Sequence, residues 1–393
     1  MDLKFNIDIE KIKELNNSKG DYLFKYLKSV QRNKTPIIMK GIKSADYWIC
    51  DFYECSIPAS HFTKVKIPAV TDRNPDNTEL LVLLTEKLLS QFSEGTEYIF
   101  KENEVNIKQG LAKVRDSYKN TKQSLEEQLE DFTNVLSTDI NKSKMSLTID
   151  HSSSIIDLLK EIRNSPEASI FVSKDSLTLR NDSVFLRTKS DCEFSSSNEE
   201  LYINMYLANK ILSYLDFSEI VKIFVTDNNI VIVGYTEEEI VRNVSSIFEA
   251  LTENPTDEDL ASITPSEATS NVVNVDLQKF INEIENQKNL INTFISSKNL
   301  EAKLLKNKNG ISLGFETNSD NADKTIVTIN IGDVESTEIL EKDFTEYSTV
   351  LPISMFKNLA SNNQNLKIVF DNTEDTAVLF ETGEYKILSG KLI

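Results

Sequence analysis

Three stretches of this chain follow one plan: a short helix carrying a Lys-x-Leu step, then strand, polar turn and strand. Residues 80–89, with Lys87 and Leu89, lead into 98–107. Residues 205–212, with Lys210 and Leu212, lead into 221–233. Residues 353–360, with Lys357 and Leu359, lead into 366–380. A period of domain size predicts one fold used three times in series, and rings are among the few assemblies that need this.

A chain of 393 residues has room for three domains of roughly 120–150 residues each. The charge is lopsided, with 43 Lys and Arg against 62 Asp and Glu, a net of −19. Such a chain does not coat itself with nucleic acid non-specifically, although a local basic surface stays compatible with it. Acidity also serves plain solubility. The cysteines are Cys50, Cys55 and Cys192, an odd number with no framework spacing, which predicts a reducing compartment. The N-terminus has no apolar run of signal length, and no segment has the ~18 apolar residues of a membrane span. The expected location is the cytosol, with no membrane partner.

Along the chain, residues 1–30 read as helical from Ile7, Ile9, Ile12, Leu15, Leu23, Phe24, Leu27 and Val30. Strand-like runs occupy 37–70. Residues 111–143 read as a helical connector, with Leu125, Leu129, Phe132 and Leu136 at helical spacing. Residues 145–149 open a second domain, and Asp150 or Ser152 can cap the helix that follows. A hairpin is expected over 170–188, turning at Asn181 and Asp182. Residues 236–271 read as a second, Pro-containing connector. A third domain starts near 272. Each domain then pairs two amphipathic helices with about eight strands, one helix face lying on the sheet and the other free.

Enzymatic chemistry lacks material. The two histidines are His61 and His151. Cys50, Cys55 and His61 have superficial metal spacing, but no fourth ligand is evident and the intervening segment is strand-like. His151, beside 152–154, reads as a helix-start residue. Ten glycines give no phosphate-cradling loop, and no Gly-x-Ser-x-Gly elbow occurs. The residues argue for a binding or scaffold protein that needs no cofactor and no metal.

Lys87, Lys210 and Lys357 share one helical slot, while Lys160, Arg163, Lys279 and Lys288 lie on the polar sides of the domain-opening helices. Solvation of an exposed helix face is the plain reading. If like domains line up, these cations converge on one surface, where lysine meets phosphate without fixing register. The C-terminal strand ends on Leu392 and Ile393, an apolar tail that completes an edge or lines a partner groove.

The third domain resembles the C-terminal domain of DNA polymerase sliding clamps of the bacterial beta-clamp type. The resemblance is carried by 350–360 (Val-Leu-Pro-Ile-Ser-Met-Phe-Lys-Asn-Leu-Ala), 366–370, 377–380 and the apolar tail. The second domain is similar over 145–265, and its exit, 254–265, resembles the family's Pro-Asp…Pro linker. The first matches mainly through 80–110, and its first 75 residues depart from the pattern. The resemblance implies an α+β fold of three repeated DNA-clamp domains, 1–143 (divergent, with the helical connector), 144–265 and 266–393. Each has two helices packed on antiparallel sheets, and the chain forms a ring as a homodimer. It implies a processivity factor that encircles double-stranded DNA without reading sequence, tethers a DNA polymerase, and is opened by a clamp loader. The helices would line the hole, with the sheets outside.

The family's partner-peptide groove maps here to Leu177, Leu186, Pro255, Ile263, Leu388, Leu392 and Ile393. The family's Gly-His-Arg turn is replaced by Asp182, Ser183, Val184 and Phe185, so the groove's chemistry is not carried over. Richness in Lys, Asn and Ile suits a low-GC bacterium or one of its phages, the latter placing the protein in host cytoplasm. The alternative is a repeat-built structural protein of a phage particle, such as a tail or baseplate component.

Overall fold

The computed structural model describes residues 3–54, 58–69, 76–90, 93–100, 104–109, 112–117, 122–164, 167–181, 184–195, 199–248, 250, 254–267, 270–286, 300–307, 310–316, 326–330, 346–351, 356–357, 365–370 and 377–389. Along these residues one motif, strand–helix–three strands, occurs six times. The first is Leu3–Ile7, helices Ile9–Asn16 and Ser18–Arg32, then Ile37–Ser44, Tyr47–Glu54 and Ala59–Pro68. The second is Glu79–Leu84, helix Glu86–Ser90, then Thr96–Phe100, Glu104–Gln109 and Ala112–Ser117. The third is Met145–Asp150, helix Ile155–Asn164, then Ser169–Val172, Ser176–Arg180 and Val184–Lys189. The fourth is Leu201–Ile203, helix Met205–Leu215, then Ile220–Val225, Asn229–Tyr235 and Glu239–Ser246. The fifth is Asn271–Asp276, helix Leu277–Asn286, then Leu300–Asn307, Gly310–Glu316 and Ile326–Asn330. The sixth is Glu346–Leu351, helical residues 356 and 357, then Asn365–Phe370, Val378–Thr382 and Tyr385–Ser389.

The motifs work in pairs by exchanging opening strands. Leu3–Ile7 lies beside Thr96–Phe100 of the second motif, and Glu79–Leu84 beside Ile37–Ser44 of the first, both antiparallel. The third and fourth motifs, and the fifth and sixth, repeat this exchange. The last strand of the fourth motif then pairs with Ala59–Pro68 of the first, and the last strand of the sixth with Val184–Lys189 of the third. These two seams fuse four-stranded sets into antiparallel sheets of nine and eight strands.

The seams explain how the backbone clusters. It divides into two compact units, one of Met1–Ser152, Glu193–Ser196 and Lys210–Ile247, the other of Ser153–Cys192, Ser197–Asn209 and Phe248–Ile393. Each unit holds one seam, so neither unit boundary follows the repeat.

In the first unit both faces of the seam are covered. Along Ala59–Pro68, Ala59 and His61 point one way and Ser60 and Phe62 the other, as strand geometry requires. Phe62 stacks on Tyr26 of helix Ser18–Arg32 at 5.0 Å, and Phe217 closes the cluster. On the opposite face Leu125, Leu129 and Leu136 of helix Lys122–Leu136 are buried against Ile38, Tyr53, Ala59, Val231, Val233 and Val244. Buried Asn243 bolts the seam from the side, donating to the Ser60 hydroxyl at 2.9 Å and the Ala59 carbonyl at 3.2 Å.

Several sequence expectations change. Residues 3–7, expected in a helix, form a strand, because LKFNI finds a complete antiparallel partner in Thr96–Phe100. Leu80–Leu84, also expected to be helical, is extended. Leucine suits a helix, but pairing with Ile37–Ser44 overrides that local preference. The first connector does contain its helix, preceded by the strand Ala112–Ser117. The second connector begins as the seam strand Glu239–Ser246, with Ile240, Val241, Asn243, Val244 and Ser245 buried.

Candidate functional site

The repeated lysines occupy the helix of every second motif. Lys87 and Lys357 are exposed. Lys210 differs: its ammonium lies 3.5 Å from the buried Glu54 carboxylate, and its side chain is only 19% exposed. It neutralises a carboxylate that would otherwise be desolvated alone. The expectation of a solvent-facing lysine there is corrected by this ion pair, whose partner comes from a distant strand. On the opening helices, Lys160, Arg163 and Lys279 are exposed, and Lys160 pairs with Asp157 one turn earlier at 3.0 Å. Lys288 lies outside the described residues.

The first opening helix adds cations that the repeat search missed. Lys25, Lys28 and Arg32 of Ser18–Arg32 are exposed at three- to four-residue spacing on the face opposite buried Leu23, Tyr26, Leu27 and Val30. Lys25 also donates to the Asp216 carbonyl at 2.7 Å. The signal was present in the sequence as lysines out of phase with the apolar positions.

The expected groove residues do not share a surface. In the second unit Leu388 pairs with Phe185, and Leu186 with Ile387, so Leu186 and Leu388 lie on opposite faces of one sheet. Leu177 pairs with Thr188 and Leu179 with Leu186, which puts Leu177 on the Leu186 face. Both Leu177 and Leu186 are fully buried, so they serve as core and line no groove. The other face brings Leu388 and Ile263 together with Phe185, Val369, Ala377 and Leu379. Ile263 ends the short helix Asp257–Ile263, which starts with a reciprocal Thr256–Asp259 cap. An Arg187–Asp257 ion pair and the Ala377 N–H, donating to the Ile263 carbonyl at 2.9 Å, fix this helix over the patch. Pro255 is half-buried just before it. Leu392 and Ile393, and the 182–183 turn, lie outside the described residues.

His61 is held by Asp51, 3.0 Å from Nε2, and stacks on Tyr53 at 4.4 Å. Burial alone would raise the Asp51 carboxyl, but hydrogen bonds from His61 and the Lys64 N–H outweigh it and hold the group below the usual range. Burial pushes the Tyr53 phenol up to about 12 and, in Cys192, the thiol up to about 12. A buried thiol so disfavoured as thiolate is a poor nucleophile. His151 Nε2 sits 3.1 Å from the Ser218 carbonyl, just before the Ile155–Asn164 helix. Asp150 accepts from the Ser152 N–H at 2.8 Å, and the Asp191 carboxylate accepts from Ser154 at the helix start. Among the described residues no cluster of His, Cys, Asp and Glu is arranged to hold a metal, and no helix is long and apolar enough to cross a membrane.

With this geometry in view, comparison with solved structures defines the fold. A Helicobacter pylori beta clamp bound to a DNA ligase peptide matches at 14% identity and a TM-score of 0.60, covering 100% of both chains. The C. crescentus beta sliding clamp matches at 10% identity and a TM-score of 0.65, covering 100% of this chain and 99% of the other. The Pseudomonas aeruginosa DNA polymerase III subunit beta matches at 8% identity and a TM-score of 0.62, covering 100% of both. No protein-family model and no curated protein sequence matches. The chain has the beta-clamp fold over its full length, at sequence identities where the fold alone is shared.

Proposed function

We propose that this protein is a DNA sliding clamp: a non-enzymatic, cofactor-free ring that encircles duplex DNA and confers processivity on a DNA polymerase. In this reading the chain forms three clamp domains, 1–143, 144–265 and 266–393, each made of two of the six motifs. The observation that carries it is the seam pattern. The last strand of the fourth motif joins the last of the first, and the last of the sixth joins the last of the third. By the same rule Ala112–Ser117, which ends the second motif, seeks Ile326–Asn330, which ends the fifth. Both are edges of their sheets among the described residues. Two copies related by a twofold axis would satisfy both edges twice and close a ring.

The cations Lys87, Lys160, Arg163, Lys279, Lys288 and Lys357 would face the DNA, joined by Lys28 and Arg32, while Lys210 works through Glu54. Loose phosphate contacts of this kind are independent of sequence and weaken with salt, so the hold on DNA is topological. The H. pylori relative carries a DNA ligase peptide. In this chain the Ile263–Leu388 patch, with Pro255, Leu392 and Ile393, would receive the corresponding segment of a polymerase or of a clamp loader that opens the ring. In this reading the protein works in the cytoplasm. The alternative of a tail or baseplate component draws no support from the fold comparisons.

The test is retention on DNA. The protein, loaded on nicked circular duplex and passed through a sizing column in moderate salt, should stay with the circle and be lost once the circle is cut. Equal loss from circle and line would overturn the reading.

A further inference from the structure

Helix Lys122–Leu136 covers only part of the sheet face it lies on. Ile38, Lys40 and Ile42 alternate along one strand, and Leu83, Leu81 and Glu79 stand opposite them in register on the neighbouring edge strand. Paired residues point the same way, so these side chains share one face. At one end the helix seals it, where Ile38, Leu83 and Leu81 pack with Leu125, Leu129 and Leu136. At the other end Lys40 and Glu79 are exposed, and Ile42 keeps 42% of its surface in water. Large apolar side chains so exposed are few among the described residues, the others being Val135 and Ile247.

An open groove of about 260 Å³ runs along this boundary. Leu129 and Leu81 form its apolar floor. Glu126 and Glu130 form the helix wall, and Lys40 and Glu79 the sheet wall. Charge therefore sits at the rim, where carboxylates outnumber the single ammonium. The helix does not restore the balance, since Lys122 is its only cation against Glu126, Glu127, Glu130 and Asp131. Such a surface repels a phosphate backbone. It complements a segment that offers aliphatic side chains to the floor and cations to the rim. Burial of the first supplies affinity, and pairing of the second selects among partners. The groove opens on the sheet face opposite helix Ser18–Arg32, so a partner here does not compete with a ligand on that helix's cations.

We propose that this groove is a docking site for a short basic and apolar segment of a partner protein. Leucine-like side chains lie between Leu81 and Leu129, and Lys or Arg faces Glu79, Glu126 and Glu130. The site is separate from the Ile263–Leu388 patch and stands whether or not the chain is a clamp.

The full chain is titrated with a fluorescent peptide, Lys-Lys-Leu-Leu-Lys-Lys, and with Lys-Lys-Ser-Ser-Lys-Lys, which keeps the charge and loses the apolar pair. The leucine peptide should bind saturably, and about tenfold more tightly than the serine one. A chain of net charge −19 attracts cations everywhere, so double variants with equal loss of charge locate the binding. Glu126→Gln with Glu130→Gln should weaken it about fivefold. Glu127→Gln with Asp131→Asn, outside the groove on the same helix, should leave it within about twofold. All four carboxylates are exposed, so both variants should keep the fold. No saturable binding, equal binding of the two peptides, or equal weakening by the two variants overturns the proposal. Hydrogen exchange gives a second reading: the leucine peptide should slow amides of 79–81 and 126–133. Slowing confined to Asp257–Ile263 and Tyr385–Ser389 would put the peptide on the other patch and overturn it. A changed sedimentation of the Glu126 and Glu130 variant without peptide would assign the groove to a second copy of the chain, and so overturn it too.

Discussion

Lys87 and Lys210 hold one slot in two copies of a motif, yet their surroundings assign them different work. Removing Lys210 strips the buried Glu54 carboxylate of its ammonium partner, so Lys210→Met should cost about 3 kcal/mol, read as a lower denaturant midpoint. Lys87→Met should stay within about 0.5 kcal/mol of wild type while weakening the salt-sensitive DNA retention proposed above. Asp51 makes a second residue-scale case. Its carboxyl is held below its unfolded value by bonds from His61 and the Lys64 N–H, at 3.0 and 2.9 Å. A depressed carboxylate adds stability that is complete above the unfolded value of about 3.9 and fades as pH falls through the lower folded value. Asp51→Asn should therefore cost about 1–2 kcal/mol near neutrality. The gap between variant and wild type should close in acid, which paired urea melts along a pH series would show. A gap that does not change with pH would remove the ionised carboxylate from the explanation. The shared lysine slot was legible in the sequence because it recurs in one local frame. The fate of Lys210 was not, because Glu54 comes from another motif.

Elements were legible where their signal was local. The hairpin of Ile220–Val225 and Asn229–Tyr235 announces itself by alternation and a polar turn, closed by Thr226 against Asn229. The opening strands Leu3–Ile7 and Glu79–Leu84 did not, since each pairs with a strand of the other motif in its pair. Leu3–Ile7 carries no mark distinguishing it from the start of a helix until Thr96–Phe100 is beside it. The groove failed for a related reason. Leu177, Leu186, Ile263 and Leu388 are all apolar, and only the cross-strand register shows that a sheet separates the first two from the others. Element packing also sets a prediction at the two N-terminal helices. A Cβ on Gly20 would lie 2.8 Å from the Lys13 Cα and 2.9 Å from the Ile12 carbonyl oxygen, backbone atoms that cannot rotate away. Alanine is the better helix former by up to ~1 kcal/mol, but forcing the helices apart should outweigh this. Gly20→Ala should lower the thermal midpoint by a few degrees, equivalent to about 1–3 kcal/mol. A raised midpoint would mean that the helices separate at little cost.

At the scale of the whole molecule, six motifs make two seams within the chain and leave the ingredients of a third. The edges Ala112–Ser117 and Ile326–Asn330 occupy the same places in their motifs as the strands already joined. A ring therefore needs no new kind of contact, only the repetition of one the chain forms twice. Backbone geometry offers a direct test. Successive residues of a strand point their N–H groups to opposite edges, so proline at Lys113 and proline at Val114 remove different bonds. One change strikes the pairing with Glu104–Gln109 inside the chain. The other strikes the outward edge. The inward proline should lower the thermal midpoint at any protein concentration. The outward one should shift sedimentation from dimer to monomer at micromolar concentration, leave the monomer's melting nearly unchanged, and abolish retention on circular DNA. If both prolines behave alike, or if the wild-type chain sediments as a monomer in that range, Ala112–Ser117 does not form the closing seam and the proposed ring loses the observation that carries it.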